Sequence, residues 1–411
     1  MMSKQNVPEL RFPEFSGEWR EHTWKDIGEY KKSYSFSRAH EGEGLYRHIH
    51  YGDIHSKLPS IIKSSEILPR ISTSDDLETV LQGDILIADA SEDYKDLGKT
   101  VLVKTQESEI VSGLHTIRFR PINNIDSTFL LYFTKSISYR KFITKMGTGV
   151  SVLGLSKTNL AKLKINLPEI EEQKKIGEFF RKLDRLIELE EKKLELLEEQ
   201  KKGYMQKIFS QELRFKDEDG NDYPEWEEKK LVNISKIQNG YAFKSSKFKE
   251  KGNRIIRISD IQNNMITNGT AFYPLEINIS SLFKVEKNDI LIAMSGATTG
   301  KVGKYTMKEP SYLNQRLGKF VVTKDADREF LFTYLLTDLF HKKLNGLLIA
   351  GAQPNLSSKD IESIKLFVPS IIEQVKIGKL SNNFHHIIQK QTKKIEILKT
   401  KKRGFINKMF I

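Results

Sequence analysis

The segment PEIEEQKKIG at residues 168–177 has a near copy, PSIIEQVKIG, at residues 369–378. Each copy opens a long charged stretch in which apolar residues recur at helical spacing. The copies are offset by 201 residues, about half of the 411-residue chain. Because self-similarity at a fixed offset is the signature of a repeated structure, the chain is predicted to begin the same long helix twice.

The duplication continues through the rest of the chain. Short motifs recur in the same order in both halves, although small insertions change the offset. The matched pairs are KKGYMQKIF (201–209) and KRGFINKMF (402–410), GDILIA (83–88) and NDILIA (288–293), RHIHYGDI (47–54) and RIIRISDI (254–261), and ELRF (9–12 and 212–215). The repeat predicts an N-terminal segment that completes it (1–19), a first globular domain (20–156), a first long helix (157–211), a linker (212–226), a second globular domain (227–357) and a second long helix (358–411).

Both long helices carry the apolar spacing of a coiled coil, with polar interruptions at matched places, Glu190 with Gln391 and Lys201 with Lys402. Residues 169–209 contain 10 basic and 11 acidic residues, whereas residues 370–411 contain 10 basic and 2 acidic ones, which favours mutual pairing. We therefore predict an intramolecular antiparallel coiled coil with the globular domains at its opposite ends. Its seam, the line of apolar residues between the helices, is predicted to consist of Ile176, Phe180, Leu183, Ile187, Leu194, Leu197, Ile377, Phe384, Ile388, Ile395 and Leu398.

Each globular domain is predicted to have mixed secondary structure. Short β-rich runs such as DILIA and HTIRFRP are accompanied by one candidate helix per domain, at residues 127–144 and 328–344. A glycine-containing loop follows each candidate helix. The predicted fold class is α+β, with two globular mixed α/β domains joined by two long helices in an internal pseudo-two-fold repeat.

The composition limits the classes of function. The 67 Lys plus Arg against 54 Asp plus Glu give a formal net charge of +13, which suits a polyanionic partner. There is no cysteine, which excludes disulfides, thiol nucleophiles and Cys-ligated zinc. The N-terminus lacks an apolar signal core, and no run approaches the roughly 18 apolar residues of a membrane span, so we expect a cytoplasmic protein without a membrane partner.

Motifs that suggest catalysis are incomplete. SGATTGKVG at residues 295–303 resembles a phosphate loop, but its glycine spacing is short and Val302 stands where a magnesium-binding hydroxyl is needed. The acidic run at residues 88–96 has no acidic counterpart in the second half. The histidines within residues 48–55 correspond to residues that do not bind metal. We predict no catalytic residue and no metal site.

The paired PxIxEQxKIG-type helix starts, the duplicated DILIA segments and the opening ELRFPEFSGEW together resemble the specificity subunit of Type I restriction–modification enzymes, over essentially the whole chain. The resemblance implies two target recognition domains, each reading one half of a split double-stranded DNA sequence, and two spacer helices that set their separation. It also implies docking of methyltransferase subunits, usually two, and of restriction subunits. S-adenosylmethionine, ATP and magnesium are then expected on those partners, with no cofactor on this chain.

Candidate DNA contacts are polar or basic positions placed equivalently in both halves. The second domain is the more basic, with 20 basic and 12 acidic residues in 227–354, against 18 of each in 20–155. Lys and Arg suit phosphates, while polar side chains suit base edges. The candidates are Arg47, His48, His50, Tyr51, Lys99, Thr100, His115 and Ser151 in the first domain, and Arg254, Arg257, Thr298, Thr299, Lys301, Asn314, Gln315, Arg316, Gln353 and Asn355 in the second.

Two alternatives stay open at the level of sequence. One is a self-contained nuclease or methyltransferase, disfavoured because no motif of the Asn-Pro-Pro-Tyr type occurs. The other is a coiled-coil adaptor whose globular ends bind proteins, against which the basic net charge argues.

Overall fold

The computed structural model describes residues 6–350 and 355–411, and the chain divides into two compact units. Unit 1 comprises the residues up to Glu191 together with Lys393–Ile411, and unit 2 comprises Lys192–Thr392. Each unit therefore contains one globular domain and one half of each long helix. Within the described residues, no helix is both long and apolar enough to cross a membrane.

A five-stranded sheet forms the centre of unit 1. The strand of the GDILIA motif, Ile85–Ala88, lies in its middle with all four residues buried, because a strand covered on both faces is apolar throughout. Three of its strand pairings are antiparallel. The edge strand Ile61–Ile62 pairs in parallel with Thr100–Val103. The strand order is Gly28–Lys31, Thr116–Pro121, Ile85–Ala88, Thr100–Val103, Ile61–Ile62.

Smaller sheets and short helices complete unit 1. The strand Arg20–Thr23, which begins the domain, pairs with Lys164–Leu167, which immediately precedes the first long helix, so the chain enters and leaves the domain side by side. The other sheets are Arg70–Ile71, Glu41–Ile49 and Ile110–Ser112, and Leu153–Gly154 with Ala90–Ser91. The short α-helices are Tyr51–Ser56, Ser127–Phe133, Ile137–Met146 and Lys157–Leu160.

Unit 2 repeats the central sheet and the domain-closing pair of unit 1, whereas its second sheet has four strands in place of three. Its five-stranded sheet has the same order and the same parallel edge, namely Ser235–Asn239, Leu317–Val322, Ile290–Ala293, Val302–Tyr305, Met265–Ile266. The second sheet contains Ala271–Tyr273, Asn253–Ile256, Ser311–Leu313 and Lys284–Val285, and the domain-closing pair is Glu227–Lys230 with Lys365–Val368. The short α-helices are Arg328–Leu335, Asp338–Ala350 and Ser358–Glu362. The predicted α+β class with an internal repeat is confirmed.

The prediction of one helix in each globular domain was wrong. Each candidate segment forms two helices, and a side-chain hydroxyl caps the N-terminus of the second helix. Ser136 Oγ accepts a hydrogen bond from Tyr139 N–H at 3.2 Å in unit 1, and Thr337 Oγ1 accepts from Phe340 N–H at 3.2 Å in unit 2. Such an N-cap satisfies a backbone donor that would otherwise lack a partner, which makes a break inside an apolar run tolerable.

The two long helices are Ile170–Phe209 and Ile371–Met409. In unit 1, Glu190 pairs with Lys394 at 2.6 Å, and Asp184 pairs with Lys402. The residue number rises along one helix as it falls along the other, so the pairing is antiparallel, as predicted. In unit 2, the ring centroids of Tyr204 and Phe384 lie 5.6 Å apart.

The predicted seam residues are all buried or half-buried. Two of the polar interruptions lie in ion pairs, since Glu190 pairs with Lys394 and Lys402 with Asp184. Polar groups at such positions help to fix the register of the two helices. The buried members are Ile176, Phe180, Ile187, Ile377 and Ile395, and the half-buried ones are Leu183, Leu194, Leu197, Phe384, Ile388 and Leu398.

The repeated EQ-containing motif anchors each globular domain to its long helix. Gln173 Oε1 accepts from the backbone N–H of Asp126 at 3.0 Å, and its Nε2 donates to the carbonyl of Pro168 at 2.9 Å. Asp126 in turn caps Ser127–Phe133 by accepting from Phe129 N–H at 2.7 Å. Unit 2 repeats the arrangement through Gln374, which accepts from Asp327 N–H at 2.8 Å. The motif is therefore a docking element as well as a helix start.

The two ELRF motifs complete this anchor. The carbonyl of Lys408, at the end of the second long helix, accepts from Leu10 N–H at 2.9 Å. In unit 2, the carbonyl of Lys207 accepts from Leu213 N–H at 3.0 Å. The N-terminal segment thus occupies in unit 1 the place that the linker occupies in unit 2.

Candidate nucleic-acid interface

Three loops of unit 1 meet at Asp89, directly after the buried strand Ile85–Ala88. The backbone N–H of Asp89 donates to the carbonyl of His115 at 3.1 Å, and its own carbonyl accepts from Leu155 N–H at 2.7 Å. The side chains of Asp89 and His115 also meet, with Oδ1 and Nδ1 3.1 Å apart. We call this junction and its counterpart in unit 2 the loop cluster.

The loop cluster of unit 2 has the same backbone connections with different side chains. The N–H of Met294 donates to the carbonyl of Arg316 at 2.8 Å, and the carbonyl of Met294 accepts from Leu356 N–H at 2.8 Å. Arg316 stands where His115 stands in unit 1, and Met294 stands where Asp89 stands. A constant backbone frame therefore presents variable side chains.

The loop cluster of unit 1 is lined by aromatic and imidazole rings. The ring centroid of Tyr51 lies 5.2 Å from that of His115 and 5.4 Å from that of His55. Burial lowers the pKa of His55 and raises the pKa of Asp89, the latter against the hydrogen bond from His115. These groups supply hydrogen-bond donors, acceptors and ring faces, which suit base edges better than bond-breaking chemistry.

Several predicted contact residues of unit 1 are not presented at its surface. His48 is fully buried and His50 is 7% exposed. Thr100 is also buried, with its hydroxyl 2.6 Å from that of Thr134. Arg47 is committed to the domain, since its Nε donates to Glu109 Oε1 at 2.8 Å and its Nη1 to the carbonyl of Leu68 at 2.6 Å. A contact between DNA and any of these four side chains requires a rearrangement.

The remaining candidates of unit 1 lie at its surface. Ser151 is exposed on a tight loop that is closed by two backbone hydrogen bonds between Thr148 and Gly154, at 3.0 and 2.7 Å. Lys99 Nζ donates to the carbonyl of His55 and lies 3.4 Å from Asp96 Oδ1, so its charge is partly used within the domain. His115, Tyr51 and Ser151 are thus the predicted residues that retain accessible polar groups near the loop cluster.

In unit 2, Asn314, Gln315 and Arg316 form one loop beside Met294, and Gln315 and Arg316 are exposed. Asn314 Oδ1 accepts from Arg316 N–H at 3.2 Å, which orders this loop. Asn355 is exposed next to Leu356 of the loop cluster. Gln353 lies outside the described residues.

The other candidates of unit 2 are more constrained. Arg254 lies over the ring of Phe272, with its guanidinium 5.4 Å from the ring centroid, and Arg257 Nη2 donates to Thr270 Oγ1 at 2.9 Å. Thr298, Thr299 and Lys301 lie in the turn between Ile290–Ala293 and Val302–Tyr305, where Lys301 N–H donates to Thr298 O at 3.0 Å. This glycine-rich segment is a turn between strands and does not precede a helix, as a phosphate loop would.

Asp89 is a candidate that sequence reasoning missed. Its repeat counterpart is Met294, so a search for polar residues matched in both halves passes over it. The available signal was its position, immediately after the DILIA strand where that strand leaves the core. Among the described residues, no group of three or more His, Asp or Glu side chains has an arrangement that suits a metal ion.

Comparison with known proteins shows which protein family shares this architecture. The family described as the Type I restriction modification DNA specificity domain matches the chain twice, over residues 16–199 and 223–399. The MjaVIII specificity subunit of a Type I restriction enzyme from Methanocaldococcus jannaschii is 32% identical over 293 residues, covering 68% of each chain. The EcoKI specificity subunit of Escherichia coli is 25% identical over 275 residues, covering 63% of this chain and 58% of that one.

Solved structures show the same fold. The S subunit of a Type I restriction–modification system from M. genitalium aligns with a TM-score of 0.58 and 17% identity, covering 98% of this chain and 99% of that one. A chain from a study of complex assembly and conformational transition of the type I R-M system aligns with a TM-score of 0.60 and 16% identity, covering 94% and 96%. The two family matches, the repeated domains and the paired long helices agree, and the chain belongs to the specificity subunits of Type I restriction–modification enzymes.

Proposed function

We propose that each unit reads one half of a split DNA target through its loop cluster. The observation that carries this proposal is the constant backbone frame with exchanged side chains, Asp89 and His115 in unit 1 against Met294 and Arg316 in unit 2. A scaffold that must present different chemistry to different sequences needs such a frame. Hydrogen bonds to base edges, of the kind that arginine makes to guanine, are lost when these side chains are truncated.

The test compares binding of the assembled complex to its cognate duplex and to random duplex. Arg316→Ala is expected to weaken cognate binding by roughly tenfold to a hundredfold, which corresponds to about 1–3 kcal/mol for one base contact. Arg328→Ala is a matched control, since Arg328 is also exposed but lies at the start of a helix outside the loop cluster. An equal loss on both duplexes reduces Arg316 to a phosphate contact, and no loss removes it from the interface.

We also propose that the long helices dock two methyltransferase subunits, one on each unit. Large apolar side chains are exposed at repeat-equivalent positions of both helices. Unit 1 presents Leu186 and Ile397, 41% and 45% exposed, and unit 2 presents Ile387 and Leu196, both 49% exposed. An exposed apolar patch on an otherwise charged helix pair supports a protein partner. The matching of the positions supports a stoichiometry of two.

A charge substitution on one unit tests this stoichiometry. Leu186→Glu with Ile397→Glu is expected to reduce the complex from two methyltransferase subunits to one, as measured by native mass spectrometry. Ile387→Glu with Leu196→Glu is expected to give the same reduction independently. Arg185→Glu is a matched surface control on the same helix. Two bound subunits in both apolar variants would contradict the proposed docking surfaces.

The chain is proposed to be non-catalytic, with S-adenosylmethionine on the methyltransferase subunits and ATP and magnesium on the restriction subunits. Purified chain incubated with radiolabelled S-adenosylmethionine and cognate duplex is expected to transfer no methyl group, whereas the complex is expected to methylate adenine. Transfer by the isolated chain would make it a self-contained enzyme, and a complex without DNA binding would make it an adaptor.

A further inference from the structure

Unit 2 carries a concentrated basic segment that contains none of the candidate DNA-contact residues. Residues 241–251, YAFKSSKFKEK, contain four lysines within eight positions, Lys244, Lys247, Lys249 and Lys251, and all four are exposed. We call this segment the lysine arm. Glu250 is the one carboxylate within it.

The four ammonium groups of the lysine arm are not used by the fold. Within residues 6–350 and 355–411, none of the four forms an ion pair or a side-chain hydrogen bond, whereas several other lysines of unit 2 do. Lys304, for example, contacts both carboxylate oxygens of Glu329 at 2.7 Å, and Lys319 lies 3.6 Å from Asp289. Four neighbouring like charges repel one another, and this repulsion is relieved when an anion binds.

Aromatic side chains hold the lysine arm in place. The ring centroids of Tyr241 and Phe243 lie 4.9 Å apart, and Phe243 contacts Tyr273 at 4.9 Å. The ring centroid of Phe248 also lies 5.9 Å from that of Tyr273. Lys244 and Lys247 lie between Phe243 and Phe248 and therefore project from an ordered segment, which lowers the entropy lost when they bind.

Unit 1 builds the same scaffold without the lysines. Tyr34 and Phe36 correspond to Tyr241 and Phe243, with ring centroids 5.6 Å apart, and the 3-10 helix Arg38–His40 corresponds to Ser245–Lys247. The four lysine positions are there occupied by Ser37, His40, Gly42 and Gly44. The charge of Arg38 is neutralised within the domain, because its Nη2 lies 2.9 Å from Asp53 Oδ1 and its Nη1 lies 3.4 Å from Glu41 Oε1. The fold does not require the lysines.

The lysine arm adjoins the loop cluster of unit 2. The carbonyl of Tyr241 accepts from Gln315 N–H at 2.9 Å, and its N–H donates to the carbonyl of Leu313 at 2.8 Å. Farther along the arm, Lys249 N–H donates to the carbonyl of Phe272 at 3.0 Å, and Phe272 is the ring under Arg254. Backbone hydrogen bonds thus tie the lysine arm to the 314–316 loop at one end and to Phe272, beneath Arg254, farther along.

We propose that the lysine arm binds the phosphate backbone of duplex DNA beside the half-site read by unit 2. The proposal rests on the proposed DNA-reading function and adds a distinct role, which is affinity without sequence choice. Lysine suits it because an ammonium group on a flexible stem contacts a phosphate as a point charge. Since unit 1 lacks the lysines, the second half-site is bound with the steeper salt dependence.

Salt dependence gives the quantitative test. Each phosphate neutralised contributes about 0.9 to the slope of log affinity against log salt, so four contacts contribute roughly 3.6. The quadruple variant Lys244→Gln, Lys247→Gln, Lys249→Gln and Lys251→Gln, assembled in the full complex, is expected to lower the slope by about 3 to 4. The affinities for cognate and random duplex are expected to fall by the same factor, leaving their ratio unchanged.

A charge-matched control removes four exposed lysines elsewhere in unit 2, as Lys230→Gln, Lys342→Gln, Lys359→Gln and Lys379→Gln. This control is expected to change the slope by less than 1. An equal change in both variants would attribute the effect to net charge and overturn the proposal. A loss confined to cognate duplex would make the arm a base-reading element, and weaker methyltransferase binding with an unchanged salt slope would make it a protein-docking element. Either result overturns the phosphate assignment.

A gain-of-function variant tests the same idea in unit 1. Gly42 is the counterpart of Lys249, and a Cβ built there contacts only Ser72 Cβ at 3.7 Å, so Gly42→Lys fits. This variant is expected to raise the salt slope by about 1. If the wild-type complex shows no cognate preference, the proposed reading function fails. The slopes on random duplex then still decide whether the lysine arm binds phosphates.

Discussion

Arg11 and Glu172 form a two-point ion pair across 161 residues, with Nε and Nη2 each 2.7 Å from a carboxylate oxygen. The Glu172 side chain is 2% exposed. Arg214 and Glu373 repeat the pair in unit 2, where Trp226 Nε1 donates to the same carboxylate at 3.1 Å. The glutamate of each EQ-containing motif therefore holds the arginine of an ELRF motif, which fixes the chain segment ahead of each domain.

Arg11→Met is expected to destabilise unit 1 by about 3 kcal/mol, because it leaves the Glu172 carboxylate buried without its partner. Urea unfolding, with hydrogen exchange to assign the transition to unit 1, measures the change. Arg11→Met combined with Glu172→Met is expected to recover most of the loss. Lys31→Met, which removes a largely exposed pair with Glu29, is the control and is expected to change stability by less than about 1 kcal/mol.

Gly177→Ala is expected to destabilise unit 1 by about 1–3 kcal/mol through overpacking. A Cβ at this position lies 2.9 Å from Asp126 Oδ1 and 3.1 Å from Phe129 N, where the domain helix meets the long helix. Gly378→Ala is expected to act equally on unit 2, with its Cβ 2.7 Å from Asp327 Oδ1. Thermal melting of each variant measures the effect.

The matched control for these glycines lies on the same helix. Gly203 has nothing within 4 Å of a built Cβ. Gly203→Ala is therefore expected to stabilise the protein by about 0.5–1 kcal/mol, through helix propensity alone. A loss of stability in Gly203→Ala would mean that the helix needs glycine for another reason than close approach.

Lys135→Leu is expected to stabilise unit 1 at pH 7 by roughly 1 kcal/mol, because it replaces a buried charge with an apolar side chain. Burial lowers the pKa of Lys135 to about 8, so at pH 7 the folded protein contains a charged ammonium group whose desolvation reduces stability. Its repeat counterpart is Leu336, which shows that the fold accepts leucine there. The variant gives up the hydrogen bond from Nζ to Ser60 Oγ at 2.9 Å, which limits the gain.

The pH dependence of that gain has a definite sign. Between pH 8 and pH 10.5 the unfolded chain binds more protons at Lys135 than the folded chain, so wild-type stability rises with pH in that window. The advantage of Lys135→Leu is therefore expected to be largest below pH 8 and to shrink as the pH rises above it. Urea midpoints at pH 7 and pH 9.5 measure the difference, and a constant advantage would contradict the assignment to Lys135.

His385→Asp is expected to stabilise unit 2 at pH 7 by roughly 1 kcal/mol. His385 occupies the repeat position of Asp184, which pairs with Lys402 and accepts from Tyr132 Oη at 2.7 Å in unit 1. In unit 2, His385 instead shares a cavity of about 530 Å³ with Lys201 and Lys304. An aspartate at position 385 is expected to gain an electrostatic attraction to these lysines, as Asp184 does to Lys402 in unit 1.

His385 also gives unit 2 an acid sensitivity. Burial, followed by the nearby lysines, lowers its pKa below the ordinary 6.5. Below pH 6.5 the folded state binds fewer protons at His385 than the unfolded state does. The free energy of unfolding of unit 2 is therefore higher above that pH and falls on acidification. His385→Gln is expected to reduce the loss of stability between pH 7 and pH 5, measured by thermal melting at matched ionic strength. His386→Gln, at the exposed histidine that follows in the same helix, is the control for a general histidine effect.

The sequence by itself determined the repeat, the two long helices, the α+β class and the antiparallel pairing. These follow from apolar spacing and from motif order, which are local and occur twice, so each copy checks the other. It did not determine where the domain helices break, because the capping hydroxyls of Ser136 and Thr337 lie inside apolar runs.

The tertiary structure alone decided which polar groups are spent on the fold. His48 is buried and Arg47 is tied to Glu109, while Gln315 and the lysine arm stay exposed, although all are polar in sequence. Likewise, only the tertiary structure shows that the EQ-containing motif anchors the domain to the long helix, because Glu172 pairs with Arg11 and Gln173 accepts a hydrogen bond from Asp126 N–H. The physical reason is that a hydrogen bond or ion pair depends on which distant groups meet, and spacing along the chain does not carry that information.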